Sequence, residues 1–294
     1  MFPQPIELIT AFYSRIMDSL VEIPVAEWPR LRDMFSIDWP KGAAAYCLLD
    51  TNINCPKLSQ EFNFKVYCPF GDMNNGMVAI TMQDDDVQVI IRPLNDVIKI
   101  EEALLSTNVI DWKKNIMAPF ASPEVTACLV KISNKLNVKI YYEQNKAITF
   151  LLNKTCIPFE ISMPENTYIA SLKPEHIDIV DKTWTYSSER SKEYFEILMR
   201  NDSTYVLYSK ENNEPMAWVT VNDAGSLSHL FCLEPYRRKG YGELITKYAC
   251  NDVLKKGRNV IAYTVENNYN SQMLLLKLGF ENIGYDYWVI IVKK

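Results

Sequence analysis

The stretch EPYRRKGYGE, residues 234–243, decides how the rest of this 294-residue chain is read. It places three cations and two glycines within ten positions of a protein whose formal net charge is -5. Before it runs the β-like segment SLSHLFCLE (226–234). After it Leu244, Ile245, Tyr248 and Ala249 share one helical face, and Gly257 stands as a stop. A strand, a basic glycine turn and a helix start make a device for holding an anion. The first turn of a helix has unpaired N–H groups and the positive end of the dipole, and glycine lets backbone approach closely. On this reading the amides of Arg238, Lys239, Gly240, Tyr241 and Gly242 hold a pyrophosphate, with Arg237, Arg238 and Lys239 adding side-chain charge. The bland alternative is a glycine-shaped turn beside a solvated basic face.

Two common phosphate motifs are excluded. Gly242 is followed by Glu243 and Leu244, so this is no GxxxxGK[ST] loop, and Ile245 occupies the third glycine position of GxGxxG. The acidic balance also argues against a general nucleic-acid or membrane-surface binder, which would carry a broad basic face. Hydrophobic residues at 48% and charged residues at 23% indicate an ordinary globular protein. Seven scattered cysteines without CxxC spacing and only two histidines, His176 and His229, give no metal pattern and suggest reduced thiols inside the cell. No apolar run of about 18 residues suits a membrane span. A soluble cytoplasmic protein is expected, with the mitochondrion as the alternative compartment; Glu7 and Asp18 are unlike an acid-poor transit peptide.

Along the chain, Leu8, Ile9, Phe12, Ile16 and Leu20 predict an amphipathic N-terminal helix. Strands are expected at 43–49, 64–70, 77–83 and 87–93, and helices around 94–106 and 122–136. VKIYYE (138–143) and AITFLLN (147–153), separated by QNK, read as a hairpin. The proline-bearing connector 153–167 places a boundary near 163, dividing the chain into 1–163 and 164–294. The second part reads as a strand at 167–172, helices at 174–183 and 190–200, and strands at 204–210 and 214–222. The strand, turn and helix described above follow, then a strand at 259–265, a helix at 270–278 and final strands at 280–285 and 287–293. The sequence shows no internal repeat by eye. QDDD (83–86) reads as an acidic hairpin turn rather than a metal cluster.

RRKGYG (237–242) fits the [RQ]xxGx[GA] signature of the GNAT acetyltransferase superfamily, and NYNSQMLLLKLGF (268–280) resembles its later motif. KTWTYSSERSKEYFEILMR (182–200), with Trp184 and Glu189-Arg190-Ser191, is similar to the W…ERS segment of the glycine N-acyltransferase family. The resemblance implies an α+β protein (an α/β sandwich). Its C-terminal GNAT fold has a splayed mixed sheet and is preceded by a smaller α+β domain, which is a candidate for a degenerate GNAT-like half. It implies that acetyl-CoA or another acyl-CoA lies between the splayed strands. Pantetheine would pair with Phe231, Cys232 and Leu233, the pyrophosphate would sit on 238–242, and Asn268 would approach from the far side. The Leu233 amide would stabilise the oxyanion. The implied activity moves an acyl group to a small amine such as glycine or another amino acid. The alternatives are an acyl-CoA-binding protein with weak or no catalysis and a protein N-terminal acetyltransferase.

The proton carriers depart from that pattern. The position of the family's glutamate base holds Ser226, and the position of a tyrosine acid holds Leu275. His229 is a candidate base by its ordinary pKa, but strand alternation turns it away from the Ser226 and Ser228 face unless a bulge intervenes. The alternative is a hydrogen-bonded core histidine. A water held by Ser226 or Ser228, or Glu189 or Glu266, could relay the proton instead. Cys232 reads as a buried thiol, and Tyr269, Tyr285 and Tyr287 as core or acceptor-pocket aromatics.

Overall fold

The computed structural model describes residues 18–83 and 86–294, so most of the expected N-terminal helix lies outside the described residues. In chain order come β1 (Leu20–Glu22), α1 (Trp28–Met34), α2 (Ala43–Asn54), α3 (Pro56–Glu61), β2 (Lys65–Pro69), β3 (Met77–Gln83) and β4 (Asp86–Arg92). Next are α4 (Ile98–Ser106), β5 (Ile116–Ala121), α5 (Pro123–Leu136), β6 (Val138–Tyr141), β7 (Lys146–Leu152), β8 (Thr167–Ala170), α6 (Ile177–Lys182) and α7 (Ser191–Arg200). The chain closes with β9 (Thr204–Ser209), β10 (Pro215–Val221), β11 (Ser226–Cys232), α8 (Tyr241–Lys255), β12 (Val260–Val265), α9 (Tyr269–Lys277) and β13 (Glu281–Lys293).

These elements form two compact units that interleave in sequence instead of dividing at a single point near 163. The first holds Asn63–Asn145, Asp286–Lys294 and the described residues up to Met34; the second holds Phe35–Phe62 and Lys146–Tyr285. In the first, β1, β2, β3 and β4 form an antiparallel ladder, β4 runs parallel to β5, and β13 lies antiparallel between β5 and β6. α4 and α5 cover one face, burying Ile100, Leu104, Val125 and Leu129 with Val78, Val89 and Ile116. In the second, β8, β9, β10 and β11 form the antiparallel ladder, β11 runs parallel to β12, and β12 is antiparallel to β7. α8 packs Ile245, Ala249 and Val253 on one face of this sheet, and α7 packs Phe195 and Leu198 on the other. The mixed α+β class expected from the sequence is the class observed.

The two units share a topology that the sequence does not display as a repeat. In each, an antiparallel ladder ends in a parallel pair joined through a helix, α4 or α8. Each parallel pair is in register at two positions only, Val87↔Ile116 and Gln88↔Met117 in one unit, Ser226↔Ile261 and Leu227↔Ala262 in the other. Beyond these pairs the strands part, leaving a fork.

Three local expectations are corrected. Residues 43–49 are helical, as part of α2. That run is buried on nearly every side, so no 3.6-residue alternation shows, and Thr51 and Asn52 bond back to the carbonyls of Cys47 and Leu48 at 2.7 and 2.9 Å. β6 and β7 form no hairpin: β6 pairs with β13 and β7 with β12, because the chain passes from one unit to the other between Asn145 and Lys146. The last two expected strands are one continuous β13. Among the described residues no helix is long and apolar enough to cross a membrane.

Candidate functional site

The fork of the second unit begins where β11 leaves β12. Ser226 and Leu227 are buried and paired with β12, whereas residues 228–232 are half-buried and pair only with β10. A bulge causes the change. Trp218 faces Phe231 but Thr220 faces Ser228, so β11 carries one extra residue there, and His229 adopts the left-handed conformation at φ 48. A bulge bends its strand and adds twist, which is what parting from a parallel neighbour requires.

The ladder decides which backbone groups face the fork. The Leu233 N–H donates to the Met216 carbonyl at 3.0 Å, so Leu233 points toward β10, and by alternation so does Phe231. Leu233 is therefore not the free oxyanion donor expected from the sequence, because its amide continues the β10–β11 ladder. Cys232, opposite Ala217, turns its N–H and C=O to the open side. Arg237 Nε donates to that carbonyl at 3.0 Å, while the guanidinium lies 5.6 Å from the Phe231 ring centre. Arg237 thus pins the glycine turn to the end of β11.

From Glu234 to Tyr236 the chain makes one 3-10 turn; Arg238 (φ 63) and Gly240 (φ 78) then take left-handed conformations, and α8 starts at Tyr241. No side chain caps this helix start. Its first helical bond among the cap residues runs from Leu244 N–H to Gly240 O at 3.0 Å, so the amides of Tyr241, Gly242 and Glu243 precede the helical ladder. Gly240 needs glycine for its conformation. Gly242 does not: it is helical, and a Cβ built there meets nothing within 4 Å. The acidic residue of this turn is neutralised, since Glu243 pairs with Lys277 and with Lys247 at 2.9 Å, and these bonds, Lys277 first, lower its pKa. Lys239 lies over the Tyr236 ring at 5.6 Å, and Arg238 is exposed. The helix start is an open, net-positive cradle of N–H groups.

The proton candidates are distributed unevenly. The bulge places the His229 ring among Trp184, Phe195, Trp218 and Phe231, with Nε2 2.8 Å from the Val180 carbonyl. A carbonyl only accepts, so Nε2 carries the hydrogen and Nδ1 is the ring's acceptor. Burial lowers the His229 pKa to about 4, keeping the ring neutral at physiological pH. Ser226 is 2% exposed and sits in the paired part of β11, its amide and carbonyl both bonded to Asn222, so it lies before the fork. Ser228 is half-buried at the bulge, where its carbonyl accepts from Thr220 Oγ1 at 3.1 Å. Leu275 is core. Glu266 is paired with Lys146 at 2.6 Å, and Glu189 is exposed.

Asn268, on the other arm of the fork, is exposed and caps α9, its Oδ1 accepting from Ser271 N–H at 3.2 Å. Trp184 stacks on Tyr194 with centroids 5.4 Å apart, and Ser191 bonds its hydroxyl to the Asp181 carboxylate. The W…ERS segment therefore builds the α6–α7 wall behind His229. Cys232 is half-buried, and desolvation raises its thiol pKa. Tyr269 is largely exposed on α9, Tyr285 stacks under the Lys146 ammonium at 4.4 Å, and Tyr287 packs in the first unit against Tyr142. Among the described residues no cluster of metal-ligating side chains occurs.

Sequence reasoning missed Asp223. Only 8% exposed in the β10–β11 turn, it is raised by burial to a pKa of about 6, and Asn52 Nδ2 of α2 holds its carbonyl at 3.0 Å. No motif marks it, because the hydrogen bond from Asn52 joins residues 171 positions apart.

A family model for FR47-like proteins matches residues 204–289, from β9 to the middle of β13. No curated protein matches the sequence. Among solved structures, a Drosophila protein is similar over 94% of this chain and 99% of its own, at 19% identity and a TM-score of 0.83. A tandem GNAT protein from the clavulanic acid biosynthesis pathway is similar over 93% of this chain and 97% of its own, at 12% identity and a TM-score of 0.53. A GCN5-related N-acetyltransferase from Sphaerobacter thermophilus is similar over 78% and 79%, at 8% identity and a TM-score of 0.50. At these identities the likeness is one of fold. The chain thus has the two-part GNAT fold, with an FR47-like segment spanning the fork and the glycine turn of its second unit.

Proposed function

We propose that the second unit binds acyl-CoA in the β11–β12 fork and transfers the acyl group to a small amine, an amino acid among the candidates. One observation carries this reading: the fork leads to an uncapped helix start whose Gly242 is open although no backbone strain calls for glycine. The pyrophosphate rests on the amides of 238–242, and Arg238 and Lys239 steer it. Pantetheine runs along the open edge of β11, where the Cys232 N–H, and not that of Leu233, is the fork-facing donor to the thioester carbonyl.

The attacking amine must be neutral. Its nitrogen bonds to the thioester carbon, the C–S bond breaks, the amine proton leaves and the CoA thiolate takes up a proton. His229 Nδ1 is the acceptor on β11 for that proton, directly or through water, but a pKa of about 4 makes it a weak base. Positioning then supplies a large share of the rate. The test is thiol release that requires both an acyl-CoA and an amine. A second reading, acyl-CoA binding with little turnover, draws on the burial of Ser226 and Leu275 and on the weakness of His229. Stabilisation by CoA without thiol release over a panel of amines would favour it, and the absence of both effects would overturn the two readings together.

A further inference from the structure

The fork of the first unit is built differently. The loop after β4, Pro93–Val97, has no glycine, and the start of α4 is occupied by Asp96, whose Oδ1 accepts from Ile98 N–H at 2.8 Å. Nothing there corresponds to the open cradle of α8. Instead Arg92, the last residue of β4, extends past the end of β5 to Asp286, the residue before Tyr287, which pairs with Ala121. Both partners are deeply buried, Arg92 at 8% exposure and Asp286 at 6%. Their contact is single and long, Nη1 to Oδ1 at 3.4 Å, and Arg92 Nη2 is buried with no hydrogen-bond partner among the described residues.

A buried guanidinium with an unmet donor is costly, and Arg presents paired N–H groups shaped for a carboxylate. We propose that the β4–β5 fork of the first unit is a binding site for a small carboxylate, held by Arg92 Nη2, and that this unit takes no acyl-CoA. Asp286 anchors the guanidinium through Nη1 and leaves Nη2 for the ligand. The ligand is small because Arg92 is only 8% exposed and its Nη2 is buried. This site does not depend on the CoA reading of the second unit.

The experiment is a titration of the full chain with acetate at constant ionic strength, against chloride and methylammonium, following the side-chain Nε–Hε and Nη–H resonances of 15N-arginine-labelled protein. A shift of one buried arginine resonance that saturates with acetate and not with chloride is expected. At acetate about tenfold above its Kd, thermal unfolding should rise by about 2 °C. Arg92→Lys keeps a cation for Asp286 but lacks the second branch, and should lose both responses while unfolding cooperatively. If that variant does not fold, the resonance titration on the parent protein still decides. Absence of a saturable shift, or an equal shift with chloride, means that Nη2 is merely hydrated or binds any anion, and overturns the proposal. Calorimetry with CoA should show no second site per chain; two sites would also refute it.

Discussion

Replacing Gly242 with leucine separates the two reasons a glycine can sit in a turn. Gly242 is helical and nothing lies within 4 Å of its Cβ position, so the side chain meets no obstacle in the free protein. A good helix former in place of glycine should then stabilise the fold by about 0.5–1 kcal/mol. On the proposed reading the same side chain projects into the space through which a pyrophosphate must reach the amides of 238–242. Hydrogen bonds from amides to charged oxygens contribute about 1.5–3 kcal/mol each, so losing one lowers affinity by about 10- to 150-fold. Alanine, which the signature admits here, is the graded control and should retain most of the binding. Denaturant unfolding reads the first effect and calorimetry with CoA the second, and opposite signs are expected. A leucine variant that binds CoA within about threefold of the parent would show that the anion is held elsewhere.

Gly240→Ala tests the other reason: at φ 78 a Cβ meets no clash but imposes a left-handed residue, and should cost about 1 kcal/mol by denaturant midpoint. The two arginines should divide in role. Arg238→Ala is expected to leave stability within about 0.5 kcal/mol while weakening CoA binding more at low salt than at high, whereas Arg237→Ala, losing the bond to the Cys232 carbonyl, should cost about 1 kcal/mol of stability as well. His229 and Asp223 give opposing pH dependences. The folded pKa of His229 is lowered to about 4, so its contribution is full above about 6.5 and is lost as pH falls through about 4. The folded pKa of Asp223 is raised to about 6, so its contribution is full below about 3.9 and is lost as pH rises through about 6. Asp223→Asn should therefore gain on the parent by up to about 3 kcal/mol between pH 3.5 and pH 7; a constant difference in denaturant stability across that range would reject the assignment.

Much of the fork could be read in advance, and the part that could not has a common cause. EPYRRKGYGE and the helix after it are local signals: glycine, charge and a 3.6-residue period act within one turn of chain, and the structure puts an uncapped helix start where they indicated. The bulge at His229 lies in a plain alternating strand, because an extra residue is defined only against the partner strand β10. The same holds for Leu233, whose amide is taken by Met216, 17 positions earlier along the chain. α2 reads as a strand because burial on nearly every side erases periodicity, and β6–β7 read as a hairpin because two short strands with a three-residue gap look alike whether they pair with each other or part.

By itself, then, the sequence determined the fold class, the order of strand, glycine turn and helix in the second unit, and where that helix starts. These depend on contacts within a few residues. Tertiary structure alone decided that Cys232 and not Leu233 faces the fork, that His229 enters an aromatic cluster as a neutral ring, and that Asp223 is buried. It alone also revealed that the first unit repeats the topology, with a buried Arg92–Asp286 pair at the end of β4. Each of these depends on registers and burial set by partners far away in the chain, for which a single sequence carries no local mark.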